Sequence, residues 1–434
     1  MQMAQTAVSP KTGTKALVAS LIGSSIEWFD YFLYGTVASL AFGKLFFPNT
    51  DPVVGLLLSY LSFSLTFFIR PLGGLIFSHI GDKVGRKKTL VLTLSLMGTA
   101  TVLIGLLPGY DTIGVWAPIL LFILRLVQGL GIGGEWGGAL LLAVEYARND
   151  QRGFYGSIPQ MGVTIGMLLG TLSMSLMSLL PEEQFLAWGW RVPFVLSAVL
   201  VFLGLWIRSG IDETPAFRAA QQSGSIAKVP LADTLRYHWK SVLIAIGAKV
   251  VETGPFYIFS TFVIAYATKY LDYDQVTALN AVTIATLVAT IAIPFMGKWS
   301  DRAGRKPLYI GGTVAIMLFA FPYFYLLSLK SAFWLTAATV IGLGILWAPV
   351  TAVLGTLFSE IFRTEVRYTG VSLGYQIGAA IAGGTAPLIA TWLLDVFANS
   401  WVPVALYIIL TGLISLVAIG AAKETKAADL GADK

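Results

Sequence analysis

Twelve stretches of this chain are long and apolar enough to cross a lipid bilayer, and that alternation of apolar run and short polar connection limits the fold more than any other feature. They run roughly 16–43, 53–79, 89–108, 117–146, 154–180, 188–208, 241–268, 276–297, 308–328, 332–360, 367–394 and 401–421. At ~1.5 Å of rise per residue, about 20 apolar residues cover ~30 Å of hydrocarbon, and every run reaches that length. Composition agrees: 56% of the 434 residues are hydrophobic and 12% are charged. A soluble domain carries about 25% charged residues, so an ordinary cytosolic enzyme and a disordered chain are both excluded.

The net charge of +6 and the pI near 9.3 would suggest nucleic acid in a soluble protein. In a chain of this kind they point to Lys and Arg held in cytoplasmic loops. With both termini placed inside, 22 of the 29 Lys and Arg fall in inner segments. Only Lys44, Arg191, Lys269 and Lys330 fall in outer loops, and Arg70, Arg125 and Lys249 lie inside spans. This bias sets both termini in the cytoplasm, and an odd number of spans would scramble it. The absence of cysteine excludes a disulfide framework, a thiolate metal site and cysteine catalysis. The polar start, Met1 to Thr14, is expected to hold no removable signal peptide.

The one long polar connection, 209–240, divides the chain at its middle. The expected organisation is a tail (1–14), a six-helix bundle (15–208), a cytoplasmic linker (209–240), a second six-helix bundle (241–422) and a tail (423–434). The halves echo each other. Asp82-Lys83-Val84-Gly85-Arg86-Lys87 recurs as Asp301-Arg302-Ala303-Gly304-Arg305-Lys306, 219 residues on. Glu145-x-x-Arg148-x-x-x-Arg152 recurs as Glu360-x-x-Arg363-x-x-x-Arg367 at an offset of 215, and Gln160 and Gln376 follow at 216. Six spans per half give both copies the same orientation, so the pseudo-axis runs along the membrane normal and a midplane site between the halves is expected.

The Asp-x-x-Gly-Arg-Lys loops in both halves resemble those of the major facilitator superfamily. Further matches resemble its metabolite:proton symporter branch, which includes shikimate, α-ketoglutarate, citrate and proline/betaine permeases. They are Glu27-Trp28-Phe29-Asp30, Arg70-Pro71-Leu72-Gly73-Gly74, Arg125-x-x-Gln128-Gly129-x-Gly131-x-Gly133-Gly134-Glu135-Trp136, and Trp188-Gly189-Trp190-Arg191-Val192-Pro193-Phe194. The resemblance covers nearly the whole chain and is specific to the branch, not to a substrate. One departure is Ser78, where the superfamily loop usually begins with Gly; the second copy keeps Gly297.

That resemblance implies an inner gate in which Asp82, Arg86, Glu145 and Arg148, and in the second half Asp301, Arg305, Glu360 and Arg363, latch the cytoplasmic side shut. Plain topology charges are the alternative, since exposed pairs are worth under ~1 kcal/mol. Gly85 and Gly304 allow the tight reversal in each loop.

Glu27, Asp30, Arg70, Arg125, Glu135, Lys249 and Glu252 lie within spans, where facing lipid would be costly, so they are expected to face the bundle interior or an aqueous cleft. Counting ~1.5 Å per residue from the inner charges puts most of them about 14 to 22 Å deep, with Arg125 nearer the outer face. A carboxylate that alternates between pairing with Arg and carrying a proton can link proton occupancy to gate position. Asp30 with Arg125 is the expected proton-coupling pair, as related transporters use a span-1 acid and this span-4 Arg, with Glu27 and Glu135 next. A static ion pair joining spans 1 and 4 is the alternative. Arg70 and Lys249, one from each half, would hold a carboxylate. Lys249 and Glu252, three residues apart on one face, can instead satisfy each other. Tyr31, Tyr34, Trp136, Tyr257, Trp347 and Tyr375 are the aromatic candidates for the site, with Gln160 and Gln376 as neutral hydrogen-bonding groups.

Gly129-x-Gly131-x-x-Gly134 matches a dinucleotide fingerprint in form only, because it lies inside an apolar span where close helix packing explains it. No phosphate-cradling Gly-Lys-Ser/Thr loop points to ATP, and no His or Cys pair points to metal. The tail after Lys423 lacks heptads, against an osmosensing betaine carrier. The expectation is therefore an all-α, multi-pass inner-membrane protein of twelve helices in two bundles. It would import a small organic acid with protons by alternating access, as a monomer among lipids and without enzyme activity, cofactor, metal or nucleic acid. A carrier of proline or betaine, an exporter or uniporter, and a receptor built like a transporter are the alternatives.

Overall fold

The computed structural model describes residues 10–84, 86–133, 140, 143–144, 147–148, 150–209, 231–362 and 367–426, with side chains described except at 10–17, 19–20, 78–84, 86–87, 89–90, 207–209, 231–233 and 367–368. The expected positions Asp82, Arg86, Glu135, Trp136, Glu145 and Arg363 lie outside the described side chains.

Among the described residues the chain is helical throughout. Hydrocarbon offers the backbone no hydrogen-bond partner, and a helix satisfies its own amides and carbonyls. Helix α1 is Pro10–Val37, continued by a π-helical turn at Ala38–Phe42 and by Gly43–Phe46; α2 is Pro52–Val84, α3 Arg86–Leu106, α4 Trp116–Gly133, α5 Arg152–Met177 and α6 Arg191–Ser209. In the second half α7 spans Trp239–Tyr270, α8 Gln275–Ala303, α9 Arg305–Ser328, α10 Ala332–Ile361, α11 Thr369–Val396 and α12 Val402–Ala421. Ten of these helices are long and apolar enough to cross a membrane, and Val91–Leu106 of α3 forms a shorter apolar stretch. Large apolar side chains point outward along them, among them Val417 at 77%, Leu318 at 75% and Phe202 at 73% exposure. Water would not tolerate such a surface; lipid does.

The helix pairings repeat between the halves. In the first, α1 packs on α5, α2 on α4, and α3 on α4 and α6; in the second, α7 packs on α11, α8 on α10, and α9 on α10 and α12. Across the interface α5 packs on α8 and α10, and α2 on α11. A pseudo-two-fold exchanges the contacts α5–α8 and α2–α11, as parallel repeats require.

Small residues set the closest approaches. A Cβ on Gly133 would overlap the carbonyl oxygen of Arg70, and one on Gly129 would overlap Ile69 and the Thr66 backbone, so α4 lies directly against α2. Gly131 meets α3 at the Thr93 carbonyl, 3.0 Å from where its Cβ would stand. The glycine pattern in span 4 is therefore a packing seam. Gly304 takes φ +101°, where L side chains are strained, and turns α8 into α9.

Gly133→Ala should cost about 1–3 kcal/mol of stability by forcing α4 off α2. Gly311→Ala, whose Cβ would meet nothing within 4 Å, should change little. Thermal unfolding of the two variants in detergent compares them directly.

Candidate functional site: a central cavity and its two closures

At the centre a small cavity lies between the halves. Its charged lining is Arg70 from α2 and Lys249 with Glu252 from α7; its rings come from Trp28, Phe67, Phe256, Tyr257, Trp347 and Tyr375. Arg70 is 1% exposed. It reaches the ring faces of Phe67, Tyr31 and Trp28, its Cζ 4.4, 4.6 and 5.5 Å from the centroids. Among the described residues its Nε and Nη2 have no hydrogen-bond partner. These two N–H groups form one edge of the guanidinium, the edge that takes a carboxylate through two parallel bonds.

Lys249 and Glu252 behave differently. Lys249 donates to Glu252 Oε2, and its Nζ lies 3.8 Å from the Tyr375 ring centroid. Glu252 also accepts from Thr253 at 2.7 Å and from Thr351 at 3.1 Å. The Trp347 indole donates to the Glu252 carbonyl at 2.6 Å. Of the two readings of this pair, the structure displays mutual satisfaction. Arg70 is left with open donors, and the described charged residues of the lining carry one cation in excess.

Several expected residues lie elsewhere. At ~100° per residue, Asp30 points about 200° away from Trp28, and Trp28 faces the cavity. Asp30 is 0% exposed, turned toward Thr101 of α3 and Ser197 of α6. Among the described residues neither of its oxygens meets a donor in full hydrogen-bond geometry. The expected Asp30–Arg125 ion pair is absent. Arg125 instead donates to the carbonyls of Ser62 at 3.3 Å and Phe63 at 3.2 Å and to Gln128 Oε1, with its Cζ 3.6 Å from the Tyr34 ring centroid. Tyr34 and Tyr31 do not line the cavity. Tyr34 covers Arg125 and shares a 2.6 Å hydrogen bond with Ser62, and Tyr31 stands between the two arginines. Gln160 donates to the Thr351 carbonyl at 3.4 Å across the halves, and Gln376 is buried with Oε1 unpartnered. Glu27 is buried on α1 outside the lining. Trp28, Phe67, Thr253, Phe256 and Gln128 were not singled out as site residues in the sequence, because helical phase alone does not say which face meets the cavity.

Among the described residues, cross-bundle hydrogen bonds stand at both ends of the cavity. On the side that carries the termini, Asp301 accepts from the Gly153 and Phe154 amides at 2.7 and 3.0 Å, capping α5 from the other half. Arg305 donates to Asp301 at 2.8 Å and lies 3.4 Å from both oxygens of Glu360. Asp301, Arg305 and Glu360 thus stand together, whereas Arg148 is exposed and pairs with Asp150 at 3.1 Å. Thr425 donates to Glu360 at 2.6 Å. Glu424 accepts from the Arg305 and Lys306 amides at 3.0 and 2.9 Å, closing the start of α9. Burial pushes the Glu424 carboxyl up, but the amides of Arg305, Lys426, Lys306 and Thr425 together outweigh it and hold it below the usual range.

On the opposite side the π-helical turns of α1 and α7, at Ala38–Phe42 and Ile258–Phe262, meet. Ser39 donates to the Thr261 carbonyl at 3.1 Å, and Ser64 to the Gly384 carbonyl. Ser175 donates to Asn280 at 2.7 Å nearby.

The sequence pattern of the Major Facilitator Superfamily matches residues 20–379 and 254–431. The shikimate transporter of Escherichia coli (strain K12) is 40% identical over 417 residues, covering 95% of each chain. The proline/betaine transporter of the same strain is 36% identical over 424 residues, covering 95% of this chain and 83% of that one. Among solved structures, the E. coli xylose transporter XylE in a partially occluded inward open conformation superposes with a TM-score of 0.75 at 16% identity, over 96% of this chain and 99% of that one. At that identity it speaks for the fold alone.

Two outcomes follow from the closure on the termini side. The chain has no native cysteine, so Val163→Cys in the cavity wall is a clean reporter. Asp301→Ala should raise its labelling from the termini side several-fold; unchanged labelling would refute the capping role. Because the Glu424 carboxyl is held below the ordinary value of ~4.3, its hold on α9 is complete above that pH and fades as pH falls through the lowered value. Glu424→Gln should therefore speed hydrogen exchange at Arg305 and Lys306 at neutral pH, and the difference from wild type should shrink in acid.

Proposed function

The chain belongs to the Major Facilitator Superfamily, a multi-pass transport protein and not an enzyme, and on that premise we propose that it carries a small organic acid together with protons by alternating access. The bundles 15–208 and 241–422 rock about the central cavity, with the 209–240 connection between them. The termini side faces the cytoplasm of an inner membrane, as the distribution of Lys and Arg supports. The carrier works as a monomer among lipids and needs no cofactor or metal, the proton being the coupling ion.

The observation that carries this reading is the open guanidinium edge of Arg70 in a cavity whose lining has one surplus positive charge. A monoanionic carboxylate completes both. A zwitterion would bring an ammonium group that finds the Glu252 carboxylate already engaged by Lys249, Thr253 and Thr351. The aromatic walls suit a compact ring or a short carbon skeleton. Shikimate, transported by the relative that bears its name, has both the carboxylate and the ring.

Asp30 is the proton site we propose, with Arg125 as its cationic counterpart and Glu27 and Glu135 in lesser roles. A buried carboxylate without hydrogen bonds costs several kcal/mol, so these surroundings suit Asp30 as the neutral acid. Ionised Asp30 needs a rearranged surrounding, and that need is what links the proton to the gates. Asp301, Arg305 and Glu360, with Asp82, Arg86, Glu145, Arg148 and Arg363, serve as the gate on the cytoplasmic side.

Proteoliposomes with an imposed pH gradient, offered shikimate, α-ketoglutarate, citrate, proline and betaine, test the reading. Accumulation of an acid that depends on the gradient is expected, and Asp30→Asn should abolish accumulation while retaining exchange. Arg70→Lys, which keeps the charge and loses the fork, should weaken affinity by about 10- to 100-fold, or about 1.5–3 kcal/mol. Accumulation of proline or betaine alone would reverse the substrate assignment. Gradient-independent accumulation would reverse the coupling.

A further inference from the structure

Asp30 and Arg125 do not touch, yet a chain of polar side chains runs between them. Arg125 Nη1 donates to Gln128 Oε1, and Gln128 Nε2 donates to Thr101 Oγ1 at 2.7 Å. Thr101 lies beside Asp30. Each member is completely buried, with Arg125, Gln128, Thr101 and Asp30 all 0% exposed, so water cannot substitute for a missing link. Gln128 is the pivotal member, because its amide has one acceptor and one donor end and uses both.

Thr101 has a single hydroxyl proton and two acceptors beside it. Its Oγ1 stands 3.1 Å from the Met97 carbonyl, one helical turn back, and next to the carboxyl group of Asp30. A hydroxyl rotates freely to suit its neighbours. Turned toward Asp30, the same proton completes an unbroken line in which Arg125 donates to Gln128, Gln128 to Thr101 and Thr101 to the carboxylate. Every dipole in that line runs from cation to anion, the arrangement in which successive hydrogen bonds strengthen one another. Turned toward Met97, the line is broken at its last link.

We infer that Gln128 and Thr101 are the positioning residues through which Arg125 registers whether Asp30 carries a proton. Ionised Asp30 draws the Thr101 hydroxyl to itself and tightens Gln128 and Arg125 into the line. Protonated Asp30 has its own O–H, no longer needs that donor, and releases Thr101 to the Met97 carbonyl within its reach. One proton is gained or lost, at an Asp30 oxygen, and the remaining changes are rotations. The signal reaches the cavity through Tyr31, whose ring centroid lies 5.6 Å from Arg125 Cζ and 4.6 Å from Arg70 Cζ. The groups facing Asp30 are Glu27 on its own helix and the hydroxyls of Thr101 and Ser197. Those facing Arg125 are Tyr31 and Tyr34 of α1, Arg70 of α2 and Tyr257 of α7. Within these two sets the acids are Glu27 and Asp30, both on α1.

The inference rests on Asp30 as the proposed proton site, but its test needs no substrate. Labelling of Val163→Cys by a thiol reagent applied from the termini side is followed between about pH 5.5 and about pH 8.5, in full-length protein in proteoliposomes. The rate in the otherwise native chain should change by about fivefold or more across that range, the size of a modest shift between two conformations. Adding Asp30→Asn should flatten the profile at its acid value. Thr101→Val keeps the shape of the side chain and removes the rotating hydroxyl; Gln128→Met keeps the length and removes both amide ends. Either should reduce the pH span to less than about twofold while the protein unfolds at a temperature close to native. A full pH span in Thr101→Val, or in a Gln128→Met protein that folds, overturns the relay and leaves Asp30 as proton site intact. A flat profile in the otherwise native chain overturns the relay as well, and gradient-driven uptake then decides separately whether the proton-coupled reading survives.

Discussion

Two guanidinium groups in the core of the first bundle, Arg70 and Arg125, bonded to no carboxylate among the described residues, are the constraint on which much of the remaining structure depends. Removing such a cation from water is expensive, and the usual compensation is an ion pair. Here Arg125 is compensated by two main-chain carbonyls of α2, the oxygen of Gln128 and the face of Tyr34. Arg70 is compensated by ring faces alone on the side away from its backbone. A cation over a ring in a desolvated place gains about 2 kcal/mol, and three rings are gathered around Arg70. The aromatic density of α1 and α2 is thus a consequence of charge. These contacts require α2 and α4 to be almost in backbone contact, and the glycines at 129 and 133 make that possible.

A charge compensated by carbonyls and rings is held less stiffly than one locked in an ion pair, and a carrier needs such compliance. The cavity is closed at the termini side by charge-assisted caps and at the opposite side by hydroxyls meeting carbonyls at π-helical turns. These are the cross-bundle bonds that the described residues provide at the two ends. Both sets consist of a few hydrogen bonds, each worth on the order of 1 kcal/mol net, so breaking one set while keeping the other lies within reach of a bound proton or substrate. The π-helical turns matter here because they displace helical carbonyls from their own ladder and place them where the other half can use them.

The separation of Asp30 from the cavity has a further consequence. A carboxylate lining the substrate site would oppose an anionic substrate. Asp30 sits behind Tyr31 and the span-1 backbone instead, so on the proposed reading a proton there and an anion in the cavity occupy separate places. The surplus cation at Arg70 then remains available to the substrate. Satisfaction of Glu252 by Lys249, Thr253 and Thr351 protects that surplus from the one carboxylate in the lining.

The amino-acid sequence by itself determined the twelve spans, the doubled architecture, the packing role of the span-4 glycines and the membrane burial of Asp30, Arg70, Arg125, Lys249 and Glu252. Each follows from a local rule: hydrocarbon demands apolar length, a repeat leaves matching loops, and an ionised group tolerated among apolar neighbours must turn inward. Partners across helices obey no such rule. Arg125 could have met Asp30, and the spacing allowed it, but the rotation of α1 turns Asp30 toward Thr101 and Ser197 and offers Arg125 the carbonyls of α2. Lys249 and Glu252 could have parted to hold substrate, but Thr253, Thr351 and Tyr375 keep them together. Tyr31 and Tyr34 read as wall residues and serve to solvate cations. Only the tertiary structure decided these matters, because they turn on the phase and depth of one helix against another, which is set by side-chain packing summed over the whole bundle.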